Sequence, residues 1–499
     1  MSQKILSTNR VGLICRSAPT RSRVRLPGFR SSTFEPFRGI LSIWLLMLCL
    51  AAGGNAAAQS AAADTNAPSW ITRPLALVDC LNLALSQNAT ILKAKSDLQA
   101  NYGIVIQTRA VALPQVIASG QYKRTERGAI ENLQLPGSPL QLELPDQNWN
   151  AGIQIVQSIY TGGKMVAAVR AARLTREQSL LQYQTVVQDT LLSTRLAYYD
   201  VLLAGQQIVV HEASVELLSK ELEDQQSRYN AGTVPHFNVL RAEVAVANER
   251  PALIRARNDY RIAKNNLANL LGYNLPRDIW EDIPLHLSDK LEAQPYRIDL
   301  PQAIEEALAN RTELAALRKT EALQRENVVS ARSGYQPTVQ VFAGYGWYNA
   351  QYTPPVDLDH DIHGWNAGAQ LSWDIFDGML TRGKVAQAQA LYEKSKTDVE
   401  DMGRQIELEV RTAYSQFVEA QEVLDSQKTV QAEAEEALRE AEARAEAGTG
   451  TQLDVLDAQT SLTQARTTEI QALHDYATAR ARLERAIGAD LAQTQNPKS

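Results

Sequence analysis

A gap-free internal repeat constrains this chain more than any other feature of its sequence. Residues 228–272 align with residues 444–488 at a constant offset of 216, and 15 of the 45 paired positions are identical. A match of this length without gaps indicates that one structural unit is used twice. The shared positions include Ala231-Gly232-Thr233 with Ala447-Gly448-Thr449, Asp259-Tyr260 with Asp475-Tyr476, and Gly272 with Gly488.

The repeated unit has the pattern of a helical hairpin. A long Pro-free run ends at Ala-Gly-Thr, and Gly is common just past a helix end because it adopts a positive φ. The return segment of the second copy then carries an apolar stripe at alternating spacings of three and four, which is the helical period. Its members are Val455, Ala458, Leu462 and Ala465. Each Ala-Gly-Thr therefore predicts the tip of a hairpin.

The outgoing arm of each hairpin is predicted to be a very long helix. Residues 164–229 and 384–447 contain no Pro and a single Gly each. At 1.5 Å per residue, each helix would span about 100 Å. Apolar residues recur at heptad-like spacing, which favours lateral packing as coiled coils. Pro251 interrupts the first return segment where Thr467 stands in the second, and it predicts a kink there.

Strands are predicted between a short helix and the long helix of each copy. A helix over 76–110 and its counterpart over 299–333 are each followed by two segments with period-2 alternation. The connections at 127–147 and 349–364 contain Pro and Gly and are predicted to be loops. The apolar positions of the four strands are Val116, Ala118, Gly120 and Tyr122; Trp149, Ala151, Ile153 and Ile155; Val339, Val341, Ala343, Tyr345 and Trp347; and Trp365, Ala367, Ala369, Leu371, Trp373 and Ile375.

These strands have the chemistry of a membrane β-barrel. One face is apolar with aromatic residues near the strand ends, and the other carries Asn, Gln, Ser and Gly. The alternative is a pair of amphipathic hairpins on a soluble core, but the flanking helices have apolar stripes of their own to bury. Four strands cannot close a barrel, and an open sheet edge is not tolerated in lipid. The barrel must therefore be shared between chains.

The N-terminus predicts export. The 13 residues from Ile40 to Ala52 are apolar, follow a basic segment and precede small residues, as in a signal peptide. We expect a signal peptide over 1–58 and a disordered segment over 59–73. Removal of 1–58 takes the formal charge from -6 to -13, which disfavours nucleic-acid binding. Only Cys80 remains after cleavage, so no intrachain disulfide framework is expected.

Two groups of polar residues are candidates for function. Asp454 and Asp457 lie three apart, on one face of the second return helix, where the first copy has Asn238 and Arg241. The second group lies in a strand connection, where it would bind a divalent cation weakly or form a solvated loop; it comprises Asp357, Asp359, His360, Asp361 and His363. We find no nucleophile–base pair, phosphate loop or metal-ligand spacing, so no catalytic, metal or cofactor residue is predicted and an enzyme is disfavoured.

Taken together, these features resemble the TolC-type outer-membrane efflux and secretion channels, the outer membrane factor family. The resemblance covers residues about 70–490 and depends on the two Ala-Gly-Thr tips, on Gly162 and Gly378 after the strand pairs, and on the Gly-terminated return helices. It implies a mainly α fold with a four-stranded membrane β contribution and two repeats of helix, strand, strand, long helix and return helix. Three chains would share a 12-stranded β-barrel above an α-helical barrel.

The resemblance also implies partners and a location. Such channels lie in the outer membrane with a long periplasmic extension, in contact with outer-membrane lipid. They form homotrimers and receive substrates from an inner-membrane pump of the RND, ABC or MFS type through a periplasmic adaptor (membrane fusion) protein. The alternative, from a different class of function, is a periplasmic coiled-coil scaffold without a pore. The transported substrate is not indicated by the sequence.

Site residues follow from the resemblance position by position. Asp454 and Asp457 match the acids that constrict the periplasmic entrance, although acids in a first helical turn also suit the helix dipole. The tip residues match those that adaptors touch: Ala231, Gly232, Thr233, Ala447, Gly448 and Thr449. Gly450, Asn238 and Ala445 depart from members that close the mouth with charged or aromatic links. We therefore expect apolar packing and tip geometry to hold the mouth shut.

The resulting division of the chain places each repeat in one segment. The first repeat is expected over 74–288, a linker over 289–297, the second repeat over 298–490 and a C-terminal tail over 491–499.

Overall fold

A computed structural model describes most of the chain after residue 72. The described residues are 73–126, 133–134, 141–142, 145, 147–273, 283–352 and 358–489. The predicted signal peptide, nearly all of the 59–73 segment, the 491–499 tail and Asp357 lie outside the described residues.

The described chain runs twice through the same order of elements. In the first repeat these are α1 (Leu77–Gln87), α2 (Ala89–Ala110), β1 (Gln115–Arg124), the short pair β2 (Leu133–Gln134) and β3 (Gln141–Leu142), β4 (Gln147–Thr161), α3 (Lys164–Asn230) and α4 (His236–Leu270). In the second they are α5 (Leu300–Asn310), α6 (Thr312–Arg332), a 3-10 turn (Ser333–Tyr335), β5 (Thr338–Tyr352), β6 (Leu358–Ser372), α7 (Leu380–Glu446) and α8 (Gln452–Ile487).

The two long helices are confirmed and are continuous. α3 and α7 have 67 residues each, so each is about 100 Å long at 1.5 Å per residue. The first return helix, α4, continues through Pro251, which is exposed, so this proline does not end the helix.

The two short helices predicted before the strands were wrong as single helices. Each is broken at one residue with an extended backbone, Asn88 in the first repeat and Arg311 in the second. Asn88 caps α2, because its side-chain oxygen accepts from the N–H groups of Thr90 and Ile91, at 2.8 and 3.3 Å. Its amide also donates to the Leu270 carbonyl at the end of α4. The breaks therefore occur where the end of a return helix packs against the two short helices of its repeat.

Strands β5 and β6 are longer than predicted at the ends that face their connection, and β6 is shorter than predicted at its C-terminal end. β5 and β6 extend over most of the 349–364 segment that was predicted to be a loop, and their polar residues pair in register, as Asn349 does with Asp361. β6 ends at Ser372, so Trp373 and Ile375 are not strand residues. The indole of Trp373 instead donates to the Tyr335 carbonyl, and the chain turns into α7.

All four long strands form one antiparallel sheet in the order β1-β4-β5-β6. Its register places the predicted apolar residues directly opposite one another across all four strands. One such row is Ala118, Ile153, Tyr345 and Trp365, and another is Val116, Ile155, Ala343 and Ala367. The alternation predicted from the sequence thus produces one continuous apolar face and one face rich in Gly, Asn and Gln.

Each repeat has an apolar core at the open end of its hairpin, opposite the tip and beside the middle of the long helix. The first core joins α1, the middle of α3 and the end of α4, with Tyr198, Leu267 and Leu271 fully buried. The second joins α5, α7 and the end of α8, with Ile406, Leu483 and Ile487 fully or almost fully buried. The short helices therefore clamp the two arms of each hairpin together.

Buried charges join the two repeats at this level. Glu484 of α8 is fully buried and accepts from Arg195 of α3 and from Arg480 of its own helix. Arg485 bridges Asp189 of α3 and Glu313 of α6. Charges taken out of water are tolerated only when paired, so these contacts fix the end of α8 against α3.

One described helix is apolar enough over 18 residues to cross a membrane by composition alone, namely α3, with a mean hydropathy of 1.2 in that window. In α3 the apolar side chains include Leu191, Tyr198 and Val201, which are buried in the first core. Only 28% of the apolar window is buried in the single chain, so packing against α1 and α4 covers part of it.

The buried charge pair gives a stability prediction. Glu484→Ala leaves Arg195 without its carboxylate partner inside the protein, and breaking such a pair costs about 3–5 kcal/mol. We expect the temperature of thermal unfolding, followed by circular dichroism, to fall clearly. The matched control is Asp398→Ala, which breaks the exposed Lys394–Asp398 pair and should change it little. Equal shifts for the two variants would contradict the assignment.

Candidate functional site: the hairpin tips

The tip of the first hairpin is a hydrogen-bonded helix cap. Gly232 has a φ of 75°, and its N–H donates to the Tyr229 carbonyl at 2.9 Å. Thr233 donates both its N–H and its hydroxyl to the Arg228 carbonyl, each at 2.9 Å. These bonds use the carbonyls that a helix end leaves free, and the left-handed backbone at Gly232 makes them possible.

The second tip repeats this cap with one addition. Gly448 has a φ of 73°, and Thr449 donates its N–H and its hydroxyl to the Arg444 carbonyl at 2.9 and 3.2 Å. Gly450 donates to the same carbonyl at 2.9 Å. A Cβ added at Gly232 or Gly448 would meet no atom within 4 Å, so both tips present open backbone to their surroundings.

Asp454 caps the start of α8. Its carboxylate accepts from the N–H of Thr451 at 2.9 Å and from the Thr451 hydroxyl at 2.8 Å. These bonds hold the pKa of the exposed Asp454 carboxyl below its usual range, and Arg444 adds a smaller effect in the same direction. The helix-start interpretation of this acid is therefore correct in the single chain, and the carboxylate is charged at neutral pH.

Asp457 lies one turn further along α8 and is exposed. Its carboxylate makes no hydrogen bond or ion pair with the residues that the structure describes. Asp454 and Asp457 are thus brought to the same end of the molecule as the two caps, and neither acid makes a hydrogen bond or ion pair with the described residues of the first hairpin.

Neutral and apolar groups join the two tips. The Gln452 amide donates to the Asn238 carbonyl at 3.1 Å, from α8 to α4. A small apolar cluster above it contains Leu218 of α3, Val246 of α4 and Leu456 of α8. Within the described ranges, no ion pair crosses between the hairpins at this end.

Asn238, Gly450 and Ala445 are the positions that depart from family members with charged or aromatic links at the mouth. In this chain they take part in the helix caps and in the packing at the tips. The Asn238 carbonyl accepts from Gln452, Gly450 donates to the α7 end, and Ala445 packs beside Leu438 and Val455. A cavity of about 460 Å³ remains between the tips, lined by residues that include Glu221, Gln225, Gln452 and Gln459. Sequence reasoning missed these four, because they come together from helices more than 200 residues apart.

The candidate cation cluster is not assembled into a site in the described structure. Asp361 and His363 lie on strand β6, both exposed, and not in a loop. No group of three or more His, Cys, Asp or Glu side chains in the described residues is arranged to hold a metal ion.

An open amphipathic sheet carried on two long helical hairpins is the architecture of an outer-membrane channel subunit. The model of the outer membrane efflux protein family matches residues 80–273 and 303–489, so this chain belongs to that family. It is similar to outer membrane protein TolC of Escherichia coli, with 24% identity covering 83% of this chain and 82% of TolC. It is also similar to the alkaline protease secretion protein AprF of Pseudomonas aeruginosa, with 26% identity over 60% of this chain and 62% of AprF.

A solved structure has the same fold. The outer membrane protein VceC of Vibrio cholerae superimposes with a TM-score of 0.68, at 18% identity, over 83% of this chain and 96% of that one. The chain is therefore an outer-membrane channel of an efflux or type I secretion system, with a long helical extension into the periplasm. Its relatives are channels and not enzymes, and nothing favours a coiled-coil scaffold.

The cap on α8 gives a prediction for Thr451→Ala. This change removes the hydroxyl that bonds to Asp454, so we expect faster hydrogen exchange in the first turn of α8. Since the folded pKa of Asp454 is lowered, its contribution is present at neutral pH and is lost as the pH falls through that lowered pKa. Exchange in the 452–456 segment, measured by mass spectrometry, checks both effects. Unchanged exchange at pH 7 would contradict the capping role.

Proposed function

We propose that this chain forms a homotrimer that acts as the exit duct of a three-part transport system. In this proposal a periplasmic adaptor docks on the hairpin tips and an inner-membrane pump supplies the substrate. The duct passes molecules and catalyses no reaction. Family members work as trimers with such partners, and the proposal extends that arrangement to this chain.

The observation that carries the proposal is the unclosed sheet. β1 and β6 are the two edges of a four-stranded sheet whose apolar face is continuous, and β1 is exposed along its whole length. Edge N–H and C=O groups in lipid are costly unless they are paired. Three copies that pair β6 of one with β1 of the next would give 12 strands, a number within the range of membrane barrels.

The tips support adaptor docking. They lie at the far ends of helices about 100 Å long, and their capped backbones are open to a partner. The two tips have the same cap, so a threefold duct would present six similar docking positions. We therefore assign adaptor contact to Ala231, Gly232 and Thr233 and to Ala447, Gly448 and Thr449.

We assign the entrance constriction to Asp454 and Asp457. Both are exposed at the tip end of α8, and among the described residues neither makes a hydrogen bond or ion pair with the first hairpin. Three copies would bring six carboxylates towards the axis, where like charges attract cations and raise one another's pKa. This effect opposes the lowering that Thr451 causes in the single chain.

The constriction predicts a change in conduction. Asp454→Ala with Asp457→Ala should raise the single-channel conductance in planar bilayers and weaken the preference for cations, because the negative rings are lost. Thr451→Ala is the matched control: it disturbs the same cap without removing charge and should leave cation preference unchanged. If the double variant kept wild-type conductance and selectivity, Asp454 and Asp457 would not line the pore mouth.

The tips predict a loss of docking. Gly232→Trp with Gly448→Trp should abolish crosslinking to the adaptor, because a bulky side chain fills the open space and the positive φ disfavours any side chain. Gly232→Asn with Gly448→Asn is the matched control, since Asn tolerates this backbone with less strain. Trimers should persist in both.

The substrate class is left to experiment. One relative is named for protease secretion, while the family is described as efflux proteins, and the tips carry no residue that separates the two. The compounds to which a deletion strain becomes sensitive, together with its secreted proteins, identify the class. A strain changed in neither, and a chain recovered as a stable monomer from the soluble periplasm, would overturn the proposal.

A further inference from the structure

The contact between the two hairpins runs along a single seam. α3 of the first repeat and α8 of the second lie antiparallel, and their paired residues follow one another in order from the sheet end to the tips. In that order the polar contacts are Asp189 with Arg485, Arg195 with Glu484, Asp200 with His474, Ser214 with Thr463, and Asn238 of the neighbouring α4 with Gln452.

The chemistry of this seam changes from one end to the other. At the sheet end the contacts are between permanent charges and are flanked by the two large apolar cores. Below His474 they are between neutral hydroxyls and amides, apart from the Glu221 carboxyl of α3 beside the Gln452 amide, and the apolar clusters there have only a few buried residues. Hydrogen bonds to charged groups are worth more than neutral ones, so the seam is weaker towards the tips.

Unsatisfied amides weaken the lower part further. Gln225 and Gln459 are 5% and 3% exposed, and together with Gln452 they have side-chain oxygens that are buried and accept no hydrogen bond. A buried acceptor without a donor costs free energy that exposure to water restores. Separation of the tips would therefore hydrate all three oxygens.

His474 stands at the boundary between the two parts. Its Nε2 lies 2.8 Å from the Asp200 carboxylate of α3, and its Nδ1 lies 3.2 Å from Asp475 of its own helix. Asp259 of α4 lines a small cavity beside Asp200, and no ion pair in the described part of the chain joins the imidazole to a charge on α7. Among the seam contacts named above, His474 is thus the one group whose positive charge can change near neutral pH.

We propose that the His474–Asp200 contact is a pH-dependent latch on the α3–α8 seam: at low pH the charged contact holds the two helices together in the part between His474 and the tips, and at high pH this part separates more readily. The proposal rests on the assignment of the tips as the periplasmic mouth only for its effect on conduction. The separation itself is a property of the single chain.

The direction of the pH effect follows from the surroundings of the imidazole. Burial lowers the pKa of His474, but the hydrogen bonds and charges of Asp200 and Asp475 outweigh it, and the net pKa is raised. A raised pKa means that the contact is fully present below the ordinary histidine range and is lost as the pH rises through the raised value. The seam should therefore loosen at alkaline pH.

The test measures separation directly at Ser214, which is buried in the seam one contact below His474. In purified Ser214→Cys protein, labelling by a bulky water-soluble maleimide requires opening, so its rate reports the open population. At pH about 6, adding His474→Gln should speed labelling about tenfold, the low end of what a hydrogen bond to a charged group is worth. At pH about 9 the two rates should converge, since both side chains are then neutral.

Matched controls isolate the effect. His286 is exposed and lies between α4 and α5, outside both hairpins, so adding His286→Gln to the Ser214→Cys protein should leave the labelling profile unchanged. The exposed Thr233→Cys corrects for thiol ionisation, and protein with only the buried Cys80 gives the background. A ratio of His474→Gln to wild-type rates that is the same at both pH values would overturn the proposal.

Conductance separates this inference from the proposed function. If the tips form the mouth, the open probability of wild-type channels should rise with periplasmic pH, and that of His474→Gln should not. A pH-dependent labelling rate with constant conductance would support the seam and reject the tips as the mouth. If the ratio of His474→Gln to wild-type labelling rates did not change with pH, while the Asp454 and Asp457 variants still altered conduction, the seam proposal alone would be rejected.

Discussion

The structure depends on a sheet that one chain cannot close. β1 and β6 leave both edges of the four-stranded sheet unpaired, while its apolar face runs unbroken across all four strands. In lipid, such edges must pair with other copies, since no water is present to satisfy them. The long helices α3 and α7 follow strands β4 and β6 directly, so a barrel shared between chains fixes where both helices begin.

Stability is concentrated at the middle of the long helices, where the short helices and the ends of the return helices pack. The short helices α1 and α5 clamp the hairpins with large apolar cores, and Glu484 and Arg485 fix the end of α8 to α3 and α6. The tips have neither a large apolar core nor a buried ion pair, and they are held by helix caps, a few leucines and valines, and neutral hydrogen bonds. In the proposed duct, this distribution would keep the middle of the helices fixed and leave the tips as the part that moves most easily.

Much of the fold was predictable because it is periodic. The repeat, the alternation in the strands and the Gly-terminated hairpins are local patterns, and each appears in the structure. The helix breaks at Asn88 and Arg311 were missed because the apolar period continues across them, although Asn is a good helix cap. The full lengths of β5 and β6 were missed because polar residues on both faces, such as Asn349 and Asp361, conceal the alternation. The seam was beyond sequence reasoning, since its partners are joined only by the tertiary fold.

Duplication separates what the two hairpins share from what the second hairpin adds. The two copies keep the residues that make the frame, including the caps and the pair Asp259 and Asp475, because both hairpins need the same turn and packing. They differ where α8 faces α3 or the mouth: Asp454 replaces Asn238, and His474 replaces Asn258. α4 also contacts the second hairpin, through Asn238 and Val246, but the charged contacts between the long hairpins, Asp200 with His474 and Arg195 with Glu484, join α3 to α8. In the proposals above, titratable groups on α8 therefore couple the chemistry of the periplasm to the width of the entrance.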